Sequence, residues 1–149
     1  MVAGPSVHRV DTELIDLTTG SSERVVDLTA RAQAFCDRVG AGDGLLHVFV
    51  PHATAGVVVL ETGAGSDDDL LSALATLLPP DGPAGKGWAH RHGSPGHGRD
   101  HVLPGLVAPF TVLPVLRGRL ALGTWQSVCL VDTNRDNPRR QVRLSFLRG

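Results

Sequence analysis

Between Phe110 and Leu147 three apolar runs follow one another with only turn signals between them, and this run of segments constrains the fold more than anything else in the chain. "FTVLPVL" meets a turn at Arg117-Gly118 and continues as "RLALGTWQSVCLVD"; "TNRDNP" then turns into "RRQVRLSFL", where Val142, Leu144 and Phe146 alternate with Arg143 and Ser145. Alternation with period two places one face on a core and the other outward, and connections this short join antiparallel neighbours. The C-terminal third is therefore a β-meander. Upstream, residues 6–17, "SVHRVDTELIDL", read as a first strand. "SSERVVDLTARAQAFCDRVG" repeats apolar residues at helical spacing through Val25, Leu28, Ala32, Phe35, Cys36 and Val39, with Ser21 or Ser22 to cap it and Gly40 to end it. "LLHVFVPHATAGVVVLE" predicts two strands, or one bent strand, broken at Pro51 or Gly56. "SDDDLLSALATLLPP" predicts a second helix, with Ser66 and Asp69 at capping-box spacing and Pro79-Pro80 as its stop.

Strand, helix, strands, helix, loop and three strands do not alternate as βαβ units. The expected fold class is α+β: a mostly antiparallel sheet or sandwich with two main helices on one side, formed as a single domain over residues 1–149. That length suits one domain with a real core, and 42% hydrophobic residues argue against disorder. A formal net charge of -1 leaves no basic field for phosphate backbones, so nucleic acid is not an expected partner. No apolar run nears the roughly 18 residues needed to span a bilayer, and "MVAGPSVHRV" has no signal-peptide core, so the expected location is the cytoplasm, with no membrane partner. Cys36 and Cys129 lie far apart in apolar settings and read as buried thiols.

The chemistry-bearing residues fall into clusters. Seven histidines are present and tyrosine is absent; His90, His92, His97 and His101 sit inside a Gly/Pro-rich loop, residues 81–101. Imidazoles are common neutral metal ligands, yet the spacing is neither HExxH nor that of a zinc finger, and a solvated His-rich loop is the plainer alternative. In "PHATAGVVVLET", His52 and Thr54 share a strand face, and a bend at Gly56 would bring Glu61 towards His52 as a metal site, a proton-transfer pair or, more plainly, an ordinary hydrogen bond. Asp67, Asp68 and Asp69 suit a helix N-terminus. In "NPRRQVR", Arg139 and Arg140 face opposite ways on a strand, so one can bind phosphate while the other lies on the surface. In GTWQ, read as strand, Trp125 points one way and Thr124 and Gln126 the other.

Taken together the segments resemble the YjbQ family, UPF0047, over roughly residues 6–148. The most specific part is "VLPVLRGRLALGTWQSVCLVD"; "PHATAGVVVLE", "WAH" with "DHV", and "PRRQVRLSFLRG" are similar in the same order. Leu60 and Thr62 beside Glu61, Gly63 to Gly65, Trp88 and His97 depart from the family pattern. The resemblance implies a small α+β domain that forms a homotrimer with sites near subunit interfaces. It carries over His52, Thr54, Glu61, Asp69, His90, His101, Trp125, Gln126 and Arg140, with Arg139 as an alternative.

Some members of that family are described as a secondary thiamine-phosphate synthase. The implied reaction joins a pyrimidine methyl pyrophosphate to a thiazole phosphate and releases pyrophosphate. On that reading His52, His90 and His101 hold a divalent metal, zinc or magnesium, or a phosphate. His52, Glu61, Asp69, Thr54 and Gln126 serve as catalytic groups; Arg140 and Arg139 hold the phosphorylated substrate, and Trp125 or Trp88 stacks on its ring. A metal-dependent hydrolase of a small phosphorylated metabolite needs the same residues. A non-catalytic trimeric metabolite-binding protein is the reading from another class.

Overall fold

A computed structural model describes residues 10–149; the opening of the first expected strand, residues 6–9, and the N-terminal segment read for a signal peptide lie outside them. The strands are β1 (Val10–Thr18), β2 (Arg24–Asp27), β3 (Gly44–Phe49), β4 (Ala55–Leu60), β5 (Phe110–Leu116), β6 (Arg119–Leu120), β7 (Ser127–Asp132) and β8 (Arg139–Arg148); the helices are α1 (Thr29–Arg38) and α2 (Ser66–Leu77). Every strand pairing is antiparallel. One sheet has the order β1-β8-β3-β5-β6 and the other β2-β7-β4. Among the described residues no helix is long and apolar enough to cross a membrane.

The two sheets face each other across the main core. Leu46 and Val48 of β3, Val142, Leu144 and Phe146 of β8, Val57 of β4 and Leu130 of β7 meet there, joined by Ala32, Phe35 and Cys36 of α1. The opposite face of the small sheet carries Val25, Val58 and Val131, which pack on Leu74 and Leu78 of α2 and on Leu103 and Val107. The expected mostly antiparallel α+β sandwich is thus what forms. The two helices, expected together on one side, serve different cores, because the small sheet has apolar side chains on both faces and needs a cover for each. Both cysteines are buried and unpaired, and burial, with Asp27 and Asp67 nearby, pushes the Cys129 thiol up to about 12.

Three local expectations change. The segment expected as one helix from Ser21 to Gly40 is a strand and then a helix. Val25 and Val26 pair with Val131 and Leu130, and α1 starts only at Thr29, whose N–H donates to Asp27 Oδ1 at 2.8 Å. Gly40 does end the helix. At φ +59° it lets its own N–H reach the Asp37 carbonyl and the Ala41 N–H reach that of Cys36, a Schellman closure. At α2 the Ser66–Asp69 capping box does not form, because Gly65 at φ +96° is the cap residue and its carbonyl accepts the Asp69 N–H.

The break between β3 and β4 spans Val50–Thr54, around Pro51, and Gly56 lies inside β4. Gly56 is there for close approach: a Cβ would stand 2.3 Å from the Val107 carbonyl oxygen. "RLALGTWQSVCLVD", expected as one strand, is two. Between β6 and β7, Gly123–Gln126 fold into a turn closed by the Gln126 N–H on the Gly123 carbonyl (3.0 Å) and the Gly123 N–H on Gln126 Oε1 (2.8 Å).

Candidate functional site

The long loop 81–101 is ordered by local chemistry. The Trp88 indole N–H donates to the Pro79 carbonyl at 3.0 Å, and its body packs with the outer core of the small sheet. Gly98 lies so close beneath it that a Cβ would stand 2.4 Å from Trp88 Cβ. A short 3-10 turn, His97–Arg99, is held from behind. Thr133 Oγ1 donates to Asp100 Oδ1 at 2.7 Å, and the buried Arg99 donates to Glu23 at 2.9 Å. Desolvation raises the Asp100 carboxyl, while the Thr133 hydroxyl opposes that shift.

This bracing gathers four imidazoles. One ring nitrogen from each of His90, His92, His97 and His101 lies within 4.8 Å of the others. The His97 and His101 Nε2 atoms are 3.0 Å apart, and the His90 ring lies 3.9 Å from His92 and 4.2 Å from His101, centroid to centroid. His97 is buried; His90 and His92 are exposed and form the mouth. Desolvation and the neighbouring imidazoles hold His90 and His101 below the usual histidine range, so both keep bare ring nitrogens at neutral pH.

Beside the quartet opens a cleft of about 250 Å³, and here the strands contribute. His52 and Thr54 from the β3–β4 connection, Asn134, Asp136 and Asn137 from the β7–β8 turn, and Arg140 of β8 line it with His92, His97 and His101. Arg140 is almost fully buried. Its Nε donates to Asp132 Oδ2 at 2.8 Å, and its Nη2 to Asp132 Oδ1 at 2.9 Å and Thr54 Oγ1 at 3.2 Å. The guanidinium is therefore neutralised by a buried carboxylate before any ligand arrives. The Gln141 backbone N–H donates to His52 Nε2 at 2.8 Å, which fixes the tautomer: Nε2 is the acceptor, so Nδ1 carries the hydrogen. Burial first, then the Arg140 charge, lower the His52 pKa, against an opposing pull from Asp132.

These positions sort the expected residues. His52, Thr54, Arg140, His90 and His101 come together. His52 does not join His90 and His101 in the way the expected metal trio requires: its Nε2 accepts the backbone N–H of Gln141 in β8, and the imidazoles that converge are His90, His92, His97 and His101. Glu61 does not approach His52. β4 runs straight between them, roughly 17 Å from Ala55 to Leu60 at the usual strand rise, and Glu61 stands exposed beyond its far end. Asp69, on the first turn of α2, and the GTWQ turn are at that far end too. Trp125 is 73% exposed, and Gln126 uses its amide to close its own turn. Arg139 is exposed on the other face of β8 from Arg140, and Trp88 is occupied with packing. Sequence reasoning left open the role of His92, and whether His97 adds a ligand or only covers the mouth, and it passed over Asp132 and Asp136. The one available signal was the i,i+4 spacing of His97 and His101, which matters only once the loop forms helical turns.

A profile described as "UPF0047 protein YjbQ-like" matches residues 13–149. A UPF0047 protein of Mycobacterium tuberculosis is 55% identical over 140 residues, covering 94% of this chain and all of that one. A UPF0047 protein of Archaeoglobus fulgidus is 30% identical over 128 residues, 86% of this chain and 95% of that one. Among solved structures, a hypothetical protein of Aeropyrum pernix K1 superposes with a TM-score of 0.81 at 32% identity, covering 93% of this chain and 99% of that one. An uncharacterised conserved protein of the yjbq/upf0047 family from Clostridium acetobutylicum superposes with a TM-score of 0.77 at 26% identity, covering 90% and 98%.

Proposed function

The chain belongs to the UPF0047 YjbQ-like family, and we propose that it is a small enzyme whose histidine quartet holds a divalent metal beside a cleft for a phosphorylated metabolite. The carrying observation is the convergence of four imidazole nitrogens within 4.8 Å in a braced loop. The donor set favours one of the two expected metals. An all-imidazole site suits zinc, whereas magnesium requires oxygen ligands in octahedral geometry. Neutral imidazoles are the form that binds, and the lowered values at His90 and His101 favour it.

When bound, the metal supplies Lewis-acid stabilisation of charge on phosphate oxygens. The chain's own groups do the rest. His52 Nδ1–H is the donor available for an anionic oxygen, and Thr54 is held beside it by Arg140. Arg140, balanced by Asp132, stiffens this wall more than it attracts phosphate. The finer reading is the thiamine-phosphate synthase reaction. The thiazole nitrogen attacks the pyrimidine methylene, the C–O bond to pyrophosphate breaks, and the cleft stabilises the departing pyrophosphate. Hydrolysis of a small phosphorylated metabolite is the alternative.

Untagged protein tests the core of this reading: one equivalent of zinc per chain by elemental analysis, with anomalous density at the zinc edge inside the quartet. A metal-free quartet holding water or phosphate would overturn it. Turnover of the pyrimidine and thiazole pair, followed by pyrophosphate release, separates the synthase from the hydrolase. Binding without turnover would identify a binding protein instead.

The homotrimer belongs to the same proposal. The outer face of the five-stranded sheet exposes Leu45, Phe110, Val112, Leu116 and Leu147, each by 43% or more. Such an apolar plane suits contact between copies, which takes about 800 Å² per partner in a stable interface. Light scattering should return three chain masses, and a monomer at micromolar concentration would remove this part.

A further inference from the structure

His97 differs from the other three imidazoles in being gripped at its far nitrogen. Its Nδ1 lies 2.9 Å from Asp136 Oδ2 and 3.0 Å from Asn134 Nδ2, while its Nε2 faces His101 Nε2 at 3.0 Å. A second carboxylate oxygen, Asp100 Oδ2, stands 3.6 Å from Nδ1, and the two nearer neighbours ask for opposite tautomers. The Asn134 amide nitrogen only donates and would suit a bare Nδ1; the Asp136 carboxylate only accepts and requires Nδ1–H. Asn134 cannot resolve the conflict by turning its amide over, because its Oδ1 accepts the backbone N–H groups of Asp136 (2.8 Å) and Asn137 (2.9 Å). The carboxylate decides the outcome. The Asp136 contact is an ion-pair contact, and a negative oxygen 2.9 Å from Nδ1 favours a ring hydrogen there over a lone pair, a preference that the second carboxylate, Asp100, shares. Nδ1 therefore carries the hydrogen, and the Nε2 lone pair points at the quartet.

Resting on the metal reading above, we propose that Asp136 is a positioning residue that makes His97 the fourth metal ligand. It fixes the Nδ1–H tautomer and strengthens the donor at Nε2, as carboxylates behind metal-bound histidines do. Asp136 also accepts the Ser94 backbone N–H at 3.0 Å, so it ties the β7–β8 turn to the histidine loop. With His97 in place four imidazole nitrogens would be available to hold the metal, and the two exposed ones, His90 and His92, stand on the side open to a substrate.

Asp136→Asn separates the two tasks. Its side-chain oxygen still accepts the Ser94 N–H, so the loop stays, while the nearer of the two charges behind His97 is lost and Asp100 remains. The experiment uses the full untagged chain, stripped by chelator, with zinc affinity read by competition against a chromophoric chelator and coordination read from cobalt(II) visible spectra. Asp136→Asn should bind zinc 10–100-fold more weakly than wild type with an unchanged far-ultraviolet spectrum of the stripped protein. His97→Ala should weaken binding at least as much and lower the intensity of the cobalt bands, as four-coordination gives way to five or six. In the His97→Ala background, Asp136→Asn should add nothing.

An unchanged affinity in Asp136→Asn, or an equal loss with and without His97, would overturn the positioning role. An unaltered cobalt spectrum in His97→Ala would overturn the fourth ligand while leaving a metal site of the other three. A wild type that binds neither metal would overturn the quartet reading itself. Should Asp136→Asn fail to fold, the ¹⁵N spectrum of zinc-loaded wild type decides: protonated Nδ1 with metal on Nε2 supports the assignment, and the reverse tautomer removes it.

Discussion

The small sheet has two ends, and they could hardly differ more. At the end where β7 closes on Asp132, polar groups are bonded to one another: the buried Asp132 holds the buried Arg140, Arg140 reaches Thr54, and the Gln141 N–H fixes the half-buried His52. At the end where β7 opens on Ser127, Trp125, Gln126, Glu61 and Asp69 all stand exposed, linked by short-range contacts such as Thr62 Oγ1 to Ser127 Oγ at 3.3 Å. Both ends carry residues that the sequence resemblance grouped as one site, yet a whole strand length separates them within one chain. Shared membership in a motif set does not place residues together; burial and partner saturation distinguish the end whose polar groups are locked to one another.

The contrast can be broken in four ways. The largest effect is expected at the buried end. Asp132→Ala leaves the Arg140 charge unpaired in a dry site and should destabilise the fold by about 3–5 kcal/mol, read by urea unfolding. A loss below about 1 kcal/mol would mean that water reaches the pair. Next, His90→Ala and His101→Ala should each lose stoichiometric zinc while remaining folded; loss of the fold in both would make these histidines structural.

Trp125→Ala at the open end should cost the isolated chain only about 0.5 kcal/mol, because the ring is 73% exposed. A cost of several kcal/mol that grows with protein concentration would place the indole in a contact between copies. The smallest effect concerns pH. The His52 pKa is lowered in the fold, so the unfolded chain takes up the proton first as pH falls through about 6.5, and stability declines below that pH and not above it. His52→Ala should flatten that part of the stability profile; an unchanged slope would assign it to other groups.

Much of the scaffold was legible because it rests on periodicity. The alternation of Val142, Leu144 and Phe146 buries them in β8, the helical stripe of Ala32, Phe35 and Cys36 faces the core, and Gly40 and Pro79 mark helix ends. What escaped were places where one pattern fits two structures. Val25 belongs to the helical repeat of α1 by spacing, yet a partner strand was available in β7, and pairing with Val131 took it. GTWQ sits within an apolar run, and only the Gln126 side chain turning back on Gly123 makes it a corner. The quartet was half legible. Its histidines were visible as a cluster, but their convergence depends on Asp100, Thr133 and Asp136, which come from separate segments. The absence of His52 from the imidazole cluster goes with a backbone N–H bond to its ring that no residue type announces.

All four quartet histidines come from one stretch of twelve residues, His90 to His101. Rings closed over so few residues lose little chain entropy, so the stretch needs little help from the rest of the fold to collect a cation. An unfolded chain would retain much of that affinity. Zinc should therefore raise the melting temperature by less than its native-state binding constant implies, since a ligand stabilises only through its preference for the folded form over the unfolded one. The same locality makes the stretch portable: joined to the braces at Thr133 and Asp136, it is a cassette that another antiparallel sandwich with a comparable turn could accept.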